Sequence, residues 1–177
     1  MTELERLLAG REERASLQAH VLRGSEVIVQ VSLNIPGLPK RMAGDREVVS
    51  LVMGSMRREM QPLGGGPVLL FSLDNGAGYA CILGANGVDP VAVKRLAMAV
   101  EDLPWGSVID VDVLTRTGAL HRAGLTGGER KCFLCGRPPR IAPGPSGMNT
   151  PSFVKLVGEC WPRPSRNYEK RGVFQRC

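Results

Sequence analysis

Ser107-Val-Ile-Asp-Val-Asp-Val-Leu114 reads as one β-strand carrying two acids. Side chains alternate across a strand, so Asp110 and Asp112 share one face, about 7 Å apart, while Ile109, Val111 and Val113 share the other. The apolar face suits a core. Two carboxylates side by side repel each other and depress strand propensity. A positive charge is therefore expected between them, a divalent metal ion being the usual answer. The alternative is an ordinary polar face on a solvent-facing edge strand.

Working outward, the residues before this strand supply six further elements. Asp89 caps a helix with Pro90 at its first position, which runs to about Leu103 and is stopped by Pro104-Trp-Gly106. Upstream, Val68 to Leu73 and Tyr79 to Leu83 are apolar strands joined by Asp74-Asn-Gly-Ala-Gly78, a hairpin signal. Asp45 to Met60 is a helix with Val48, Val49, Leu51, Val52, Met56 and Met60 directed inward, and Leu63-Gly-Gly-Gly-Pro67 breaks it. Glu26 to Asn34 is a strand with Val27, Val29, Val31 and Leu33 on one face, leading into the rigid loop Ile35-Pro-Gly-Leu-Pro-Lys40.

The chain opens with a helix over Thr2 to Arg23, where Thr2 and Glu5 form a capping box and Leu4, Leu7, Leu8, Ala15 and Val21 form the apolar stripe. Gly10 is expected to mark a bend in it, and Arg11-Glu-Glu-Arg14 to be a solvated face stitched by ion pairs.

After that first helix the order is β-α-β-β-α-β, which predicts an α+β fold of ferredoxin-like, split-βαβ plan. Its four-stranded sheet has the order 4-1-3-2, with the last strand antiparallel to the first, so Asn34 comes close to the aspartates. Two helices cover one face. The N-terminal helix, the basic C-terminal segment and a ligand share the other. The expected division is a single domain over residues 1–140 and an irregular tail over 141–177, where Pro, Gly and Ser replace any helical or strand period.

The 177 residues, 43% hydrophobic and 23% charged, suit one globular domain. No apolar run is long enough to span a bilayer and the charged N-terminus lacks a signal-peptide core, so the expected location is cytoplasmic, with no membrane partner. A net charge of +6, concentrated from Arg116 onward, favours an anionic partner. With 5% aromatics there is little for bases to stack on, so nucleic acid is not the expected one. Five cysteines, an odd number, argue for reduced thiols or a metal site over a disulfide framework.

Four segments in order, Arg11-Glu-Glu-Arg14 with Gln18, Ser32-Leu-Asn-Ile-Pro-Gly37 with Lys40, Asp110-Val-Asp112, and Arg130-Lys-Cys-Phe-Leu-Cys135, resemble the CitX family of apo-citrate lyase phosphoribosyl-dephospho-CoA transferases, across roughly residues 4 to 140. The resemblance implies an enzyme of nucleotidyltransferase type. Its donor would be 2'-(5''-triphosphoribosyl)-3'-dephospho-CoA, its acceptor a serine of the citrate lyase acyl carrier protein, and its second product pyrophosphate. Asp110 and Asp112 would hold Mg²⁺ and act in catalysis with Arg14 and Asn34. Arg11, Lys40, Arg122, Arg130 and Lys131 would clamp phosphate oxygens.

Cys132 and Cys135 form half of a zinc site. Members of the family continue with Cys-Ala-Arg-Ser-x-x-His, whereas the present tail does not. With suitably chosen third bases, residues 141–153 back-translate in a shifted frame to Cys-Ala-Arg-Ser-Gln-Arg-His-Glu-Tyr-Ala-Glu-Leu-Arg, so a frameshift near Arg140 is the expectation, and the Zn²⁺ site is incomplete as the chain stands. The rival reading, from a different class, is a non-catalytic basic module that grips RNA or an acidic protein. The acidic strand favours the enzyme, because carboxylates repel a phosphate backbone unless a cation intervenes.

Overall fold

The computed structural model describes residues 1–35, 37–103 and 106–126. The elements run α1 (Glu3–Gly24), β1 (Val27–Leu33), α2 (Asp45–Met60), β2 (Gly66–Asn75), β3 (Gly78–Asn86), α3 (Pro90–Glu101), β4 (Ile109–Thr115), β5 (Gly118–Ala119) and α4 (Ala123–Thr126). The fold is α+β, as expected. The sheet order is β2-β3-β1-β4-β5 with every pairing antiparallel, so β4 lies beside β1 as the strand pattern requires. The four-stranded expectation is corrected to five. β5 is a two-residue return after the turn at Arg116 and Thr117, too short to leave a period in the sequence. The tail over 141–177 and its boundary lie outside the described residues.

α2 and α3 cover one face of the sheet. Val27, Val29 and Val31 of β1, Leu83 of β3, and Ile109, Val111 and Val113 of β4 pack there against Val49, Val52 and Met56 of α2 and Val93 and Ala97 of α3. Each such side chain, removed from water, contributes roughly 1.5–3 kcal/mol. The inward list for α2 needs one exchange, since Leu51 is 43% exposed and Met53, at 3%, takes the buried place. Both are apolar, and only the angle of the helix on the sheet separates them. α3 is capped as expected, the Asp89 carboxylate accepting from the Val91 and Ala92 amides at 3.1 Å each. The expected start of the acidic strand at Ser107 moves to Ile109, because residues 106–108 form a short 3₁₀ turn.

α1 covers the other face. Its capping box forms between Thr2 and Glu5. The expected apolar stripe is corrected: Leu4 and Leu8 are 57% and 49% exposed, and Ala15 is exposed too. The inward positions are Leu7, Gly10, Arg14, Leu17 and Val21, a spacing that returns to one side of a helix. α1 runs without a break through Gly10. Gly10 lets the helix touch the β2–β3 turn: a methyl at Gly10 would lie 2.6 Å from the Ala77 amide nitrogen, and one at Gly76 only 2.2 Å from the Arg6 carbonyl oxygen. Asn75 completes the joint, its amide donating to the Gly10 carbonyl at 3.1 Å and to Glu13 at 2.8 Å.

Backbone meets backbone at Gly76, so a side chain has nowhere to turn. Gly76→Ala is expected to lower stability by at least about 2 kcal/mol in chemical denaturation, well above the effect of an exposed loop substitution. An unchanged midpoint would show that α1 does not press on the turn.

The middle of β4 is secured by α3. Lys94, 6% exposed, donates to the Val111 carbonyl at 3.1 Å, and the Glu101 carboxylate accepts from the Val111 amide at 3.0 Å. A lysine under an apolar helix face is unexpected from hydropathy. Here it satisfies a backbone group that would otherwise be buried unpaired. Lys94→Met is expected to cost about 1–3 kcal/mol, read as a shift in denaturation midpoint. No shift would mean that water replaces the ammonium.

Candidate functional site

The face of the sheet beneath α1 changes character along its length. At one end Val21, Ile28 and Ile82 form a small apolar cluster. At the other, Gln30 stands across from Asp112 and Ser32 across from Asp110 on the paired strands β1 and β4. Gln30 and Ser32 are 3% and 5% exposed. Burying polar groups is unfavourable unless they are paired, so a polar half-face under a helix marks a place used for something other than packing.

The pairing is explicit. Gln18 of α1 donates its amide to the Gln30 side-chain oxygen at 2.7 Å, and Gln30 donates onward to the Asp112 carboxylate at 3.1 Å. Helix, first strand and acidic strand are thus joined by one run of hydrogen bonds. Arg14, one turn before Gln18, donates from a terminal nitrogen to the Ala77 carbonyl at 3.0 Å, at the tip of the β2–β3 turn. Its Nε is buried and finds no partner among the described residues. Arg14 is half-buried, where the local charge pattern is read as a solvated helix face and the family resemblance sets it with the aspartates.

Electrostatics agree with the geometry. Burial pushes the Asp112 carboxyl up to about 6, Asp110 adds to the rise, Lys94 opposes it, Glu101 reinforces it and Arg14 opposes it. Burial also pulls the Arg14 guanidinium down, against the attraction of Asp112 and Asp110, with Arg11 lowering it further. The two acids share one face of β4, and Arg14 acts electrostatically on both.

Asn34 follows the last residue of β1 and is exposed; its backbone amide donates to the Val108 carbonyl at 2.8 Å, so it does neighbour the start of the acidic strand. Lys40 donates from Nζ to the Ile35 carbonyl at 2.5 Å, and Arg11 acts on it electrostatically. Arg122 goes elsewhere. It bonds Asp102 at 2.8 Å and both Glu101 and the Met98 carbonyl at 3.3 Å, against the end of α3. That set of partners does not bring it to the aspartate face. Arg130, Lys131, Cys132 and Cys135 lie outside the described residues.

Among the described residues no three His, Cys, Asp or Glu side chains come together to ligate a metal. The aspartate pair offers two hard oxygen ligands, and Mg²⁺ is commonly held by one or two carboxylates with phosphate and water oxygens filling the rest. The residues present therefore fit that ion. Two carboxylates, one of them held toward its neutral form by burial and by the other, also fit the need for a cation.

Sequence reasoning passed over Gln30 and Lys94, and also Arg6, which lines a cleft beside Lys40. For Gln30 a signal existed: it interrupts the buried run Val27-Ile-Val-Gln-Val31 on the same face as the acids. Among the described residues no helix is long and apolar enough to cross a membrane.

Comparison with curated proteins found no match. The family model for apo-citrate lyase phosphoribosyl-dephospho-CoA transferase matches residues 2–141, which takes in α1, the whole sheet and both aspartates. With α1, the acidic strand and the intervening elements all inside that match, the chain belongs to the apo-citrate lyase phosphoribosyl-dephospho-CoA transferase family.

Proposed function

We propose that this transferase takes its group from 2'-(5''-triphosphoribosyl)-3'-dephospho-CoA and places it on a serine of the apo acyl carrier protein of citrate lyase. The serine hydroxyl attacks the phosphorus nearest the ribose, a phosphodiester forms, and pyrophosphate leaves with the broken P–O bond's electron pair. The hydroxyl proton passes to a carboxylate or to water. This is a nucleotidyl-type transfer.

The observation that supports the reading is the aspartate pair on one face of β4, with Asp112 tied to α1 through Gln30 and Gln18 and with Arg14 acting electrostatically on both acids. Asp110 and Asp112 are the residues that would hold Mg²⁺, which when bound neutralises the triphosphate and the departing pyrophosphate. Arg14, whose Nε is buried and without a partner among the described residues, would donate to phosphate oxygens. The Gln18–Gln30–Asp112 run fixes the second carboxylate in place. Asp112, with a pKa raised to about 6, changes charge close to neutral pH, which suits a group that accepts a proton during reaction. Asn34, at the exposed end of β1, orients the acceptor. Lys40 and Arg11 bind phosphate from the side of the Leu38–Arg41 loop.

The test is mass spectrometry of apo carrier protein incubated with the triphosphoribosyl donor, Mg²⁺ and this chain. A mass increase equal to the phosphoribosyl-dephospho-CoA group, with pyrophosphate released in equal amount, is the expected result. An unmodified carrier protein, or phosphate in place of pyrophosphate, would overturn the reading.

A further inference from the structure

A cleft of about 220 Å³ opens between the first turns of α1, the Leu38–Arg41 loop and the β2–β3 turn, lined on its polar side by Glu3, Arg6, Lys40, Arg41 and Asn75. Its charges do not cancel. Arg41 is taken up by Asp45, at 2.6 Å, and by Asp74. Arg6 and Lys40 are left facing Glu3 as the sole acid of the lining, while Arg11 acts on Lys40 from farther along α1. Lys40 is half-buried, and its Nζ donates to a neutral backbone carbonyl, that of Ile35, which leaves its charge to be met by an anion. Burial first, and Arg11 second, lower its affinity for a proton. The negative charge of a bound anion would oppose both effects.

The walls are rigid. The turn and α1 meet backbone to backbone at Gly76 and Arg6, and the turn meets the Lys40 carbonyl at Gly78, where a methyl would lie 2.5 Å away. A cleft with fixed walls loses little freedom when a ligand enters.

The geometry points to this cleft as a second anion subsite of the transferase, taking the diphosphate of the donor's dephospho-CoA portion while the aspartate face takes the triphosphate. The assignment to the donor rests on the proposed reaction. Arg6 and Arg14 stand on the same helix, and the eight positions between them correspond to about 12 Å of rise. In the donor, two ribose rings and roughly a dozen covalent bonds part the reacting phosphorus from the diphosphate, a reach on the order of 12 Å at ordinary bond lengths once folded through the rings. The spacing of the two cationic stations thus matches the spacing of the two anionic groups. Binding at a distant group in this way serves to place the reacting one.

The experiment is calorimetric titration of the full chain with dephospho-CoA in EDTA, a probe that carries the diphosphate but no triphosphate and gains nothing from a metal. Arg6→Met and Lys40→Met are each expected to weaken binding at least tenfold. Arg95→Met, which removes an exposed charge from α3 across the sheet, should leave it within twofold. In the transfer assay the first two variants should raise KM for the donor by more than they lower kcat. Absence of dephospho-CoA binding to the unaltered chain, or equal binding by all three variants, overturns the subsite. So does weakening by Arg14→Met as large as by Lys40→Met, because the diphosphate would then sit beside the aspartate face. Binding that depends on Arg6 and Lys40 alongside failure to modify the carrier protein would instead remove the reaction and keep the anion cleft.

Discussion

Asp110→Asn is expected to slow carrier-protein modification by about a hundred- to a thousandfold, with the folded state no less stable than before by more than about 1 kcal/mol. The substitution keeps size and shape, so the strand and its pairing with Ser32 have no steric reason to change. What it removes is one negative charge from a pair. If the pair gathers a cation, half of the protein's ligands for it lose their charge, and a polyphosphate approaching the face meets less compensation. At the same time the repulsion that Asp110 exerts on Asp112 disappears. Activity and stability therefore move independently, which distinguishes a working residue from a structural one. Transfer retained within tenfold would end the proposal that this carboxylate takes part. Asp110→Ala adds nothing to the argument, since lost volume would confuse the outcome.

The second large effect concerns pH. The Asp112 carboxyl is raised from an ordinary value of 3.8 to about 6 in the folded chain. Below the lower value both folded and unfolded chains hold the proton, and Asp112 makes no difference. Between the two values the unfolded chain gives up the proton while the folded chain keeps it, so stability falls as pH rises. Above about 6 both are ionised and the full penalty remains, on the order of 3 kcal/mol for such a shift. Asp112→Asn should flatten this segment of the stability profile and make the protein more stable than the parent at pH 7 and above. Mg²⁺ should recover part of the difference in the parent and little in the variant. Identical profiles for parent and variant, followed by denaturant melts from pH 4 to pH 8, would show that the carboxylate is not held in the buried, crowded setting described.

Much of this architecture can be read along the chain because the responsible patterns are local. Asp89-Pro90 places a helix start without reference to anything distant, and Asp45 to Met60 has a helical period over its full length. The alternation in β4 forces its two acids onto one side whatever the neighbours are. The position of β4 beside β1 follows from the order of elements.

What escaped depends on neighbours remote in sequence. The buried stripe of α1 contains Gly10 and Arg14, residues that a hydropathy period rejects, and each is inward for a reason supplied by the β2–β3 turn some sixty residues later. Lys94 is hidden because a carbonyl of β4 requires a donor. Arg122 has a charge suited to phosphate, yet α3 presents Glu101 and Asp102 to it first. In each case the residue type was visible and the partner was not. The aspartate face itself was legible in its acids and only partly in its surroundings, since the placement of Gln30 and the electrostatic reach of Arg14 arise from packing.

The bracing of Val111 by Lys94 and Glu101 reaches beyond the fold of one molecule. A sheet recruits another chain through amides and carbonyls with bonds still to make. Midway along β4 those of Val111 are already spoken for by side chains, and the Val113 carbonyl accepts from Leu120 within the same chain. A foreign strand cannot zip along this border without first prising α3 away, so the side of the sheet that bears the acids resists joining end on to a second sheet.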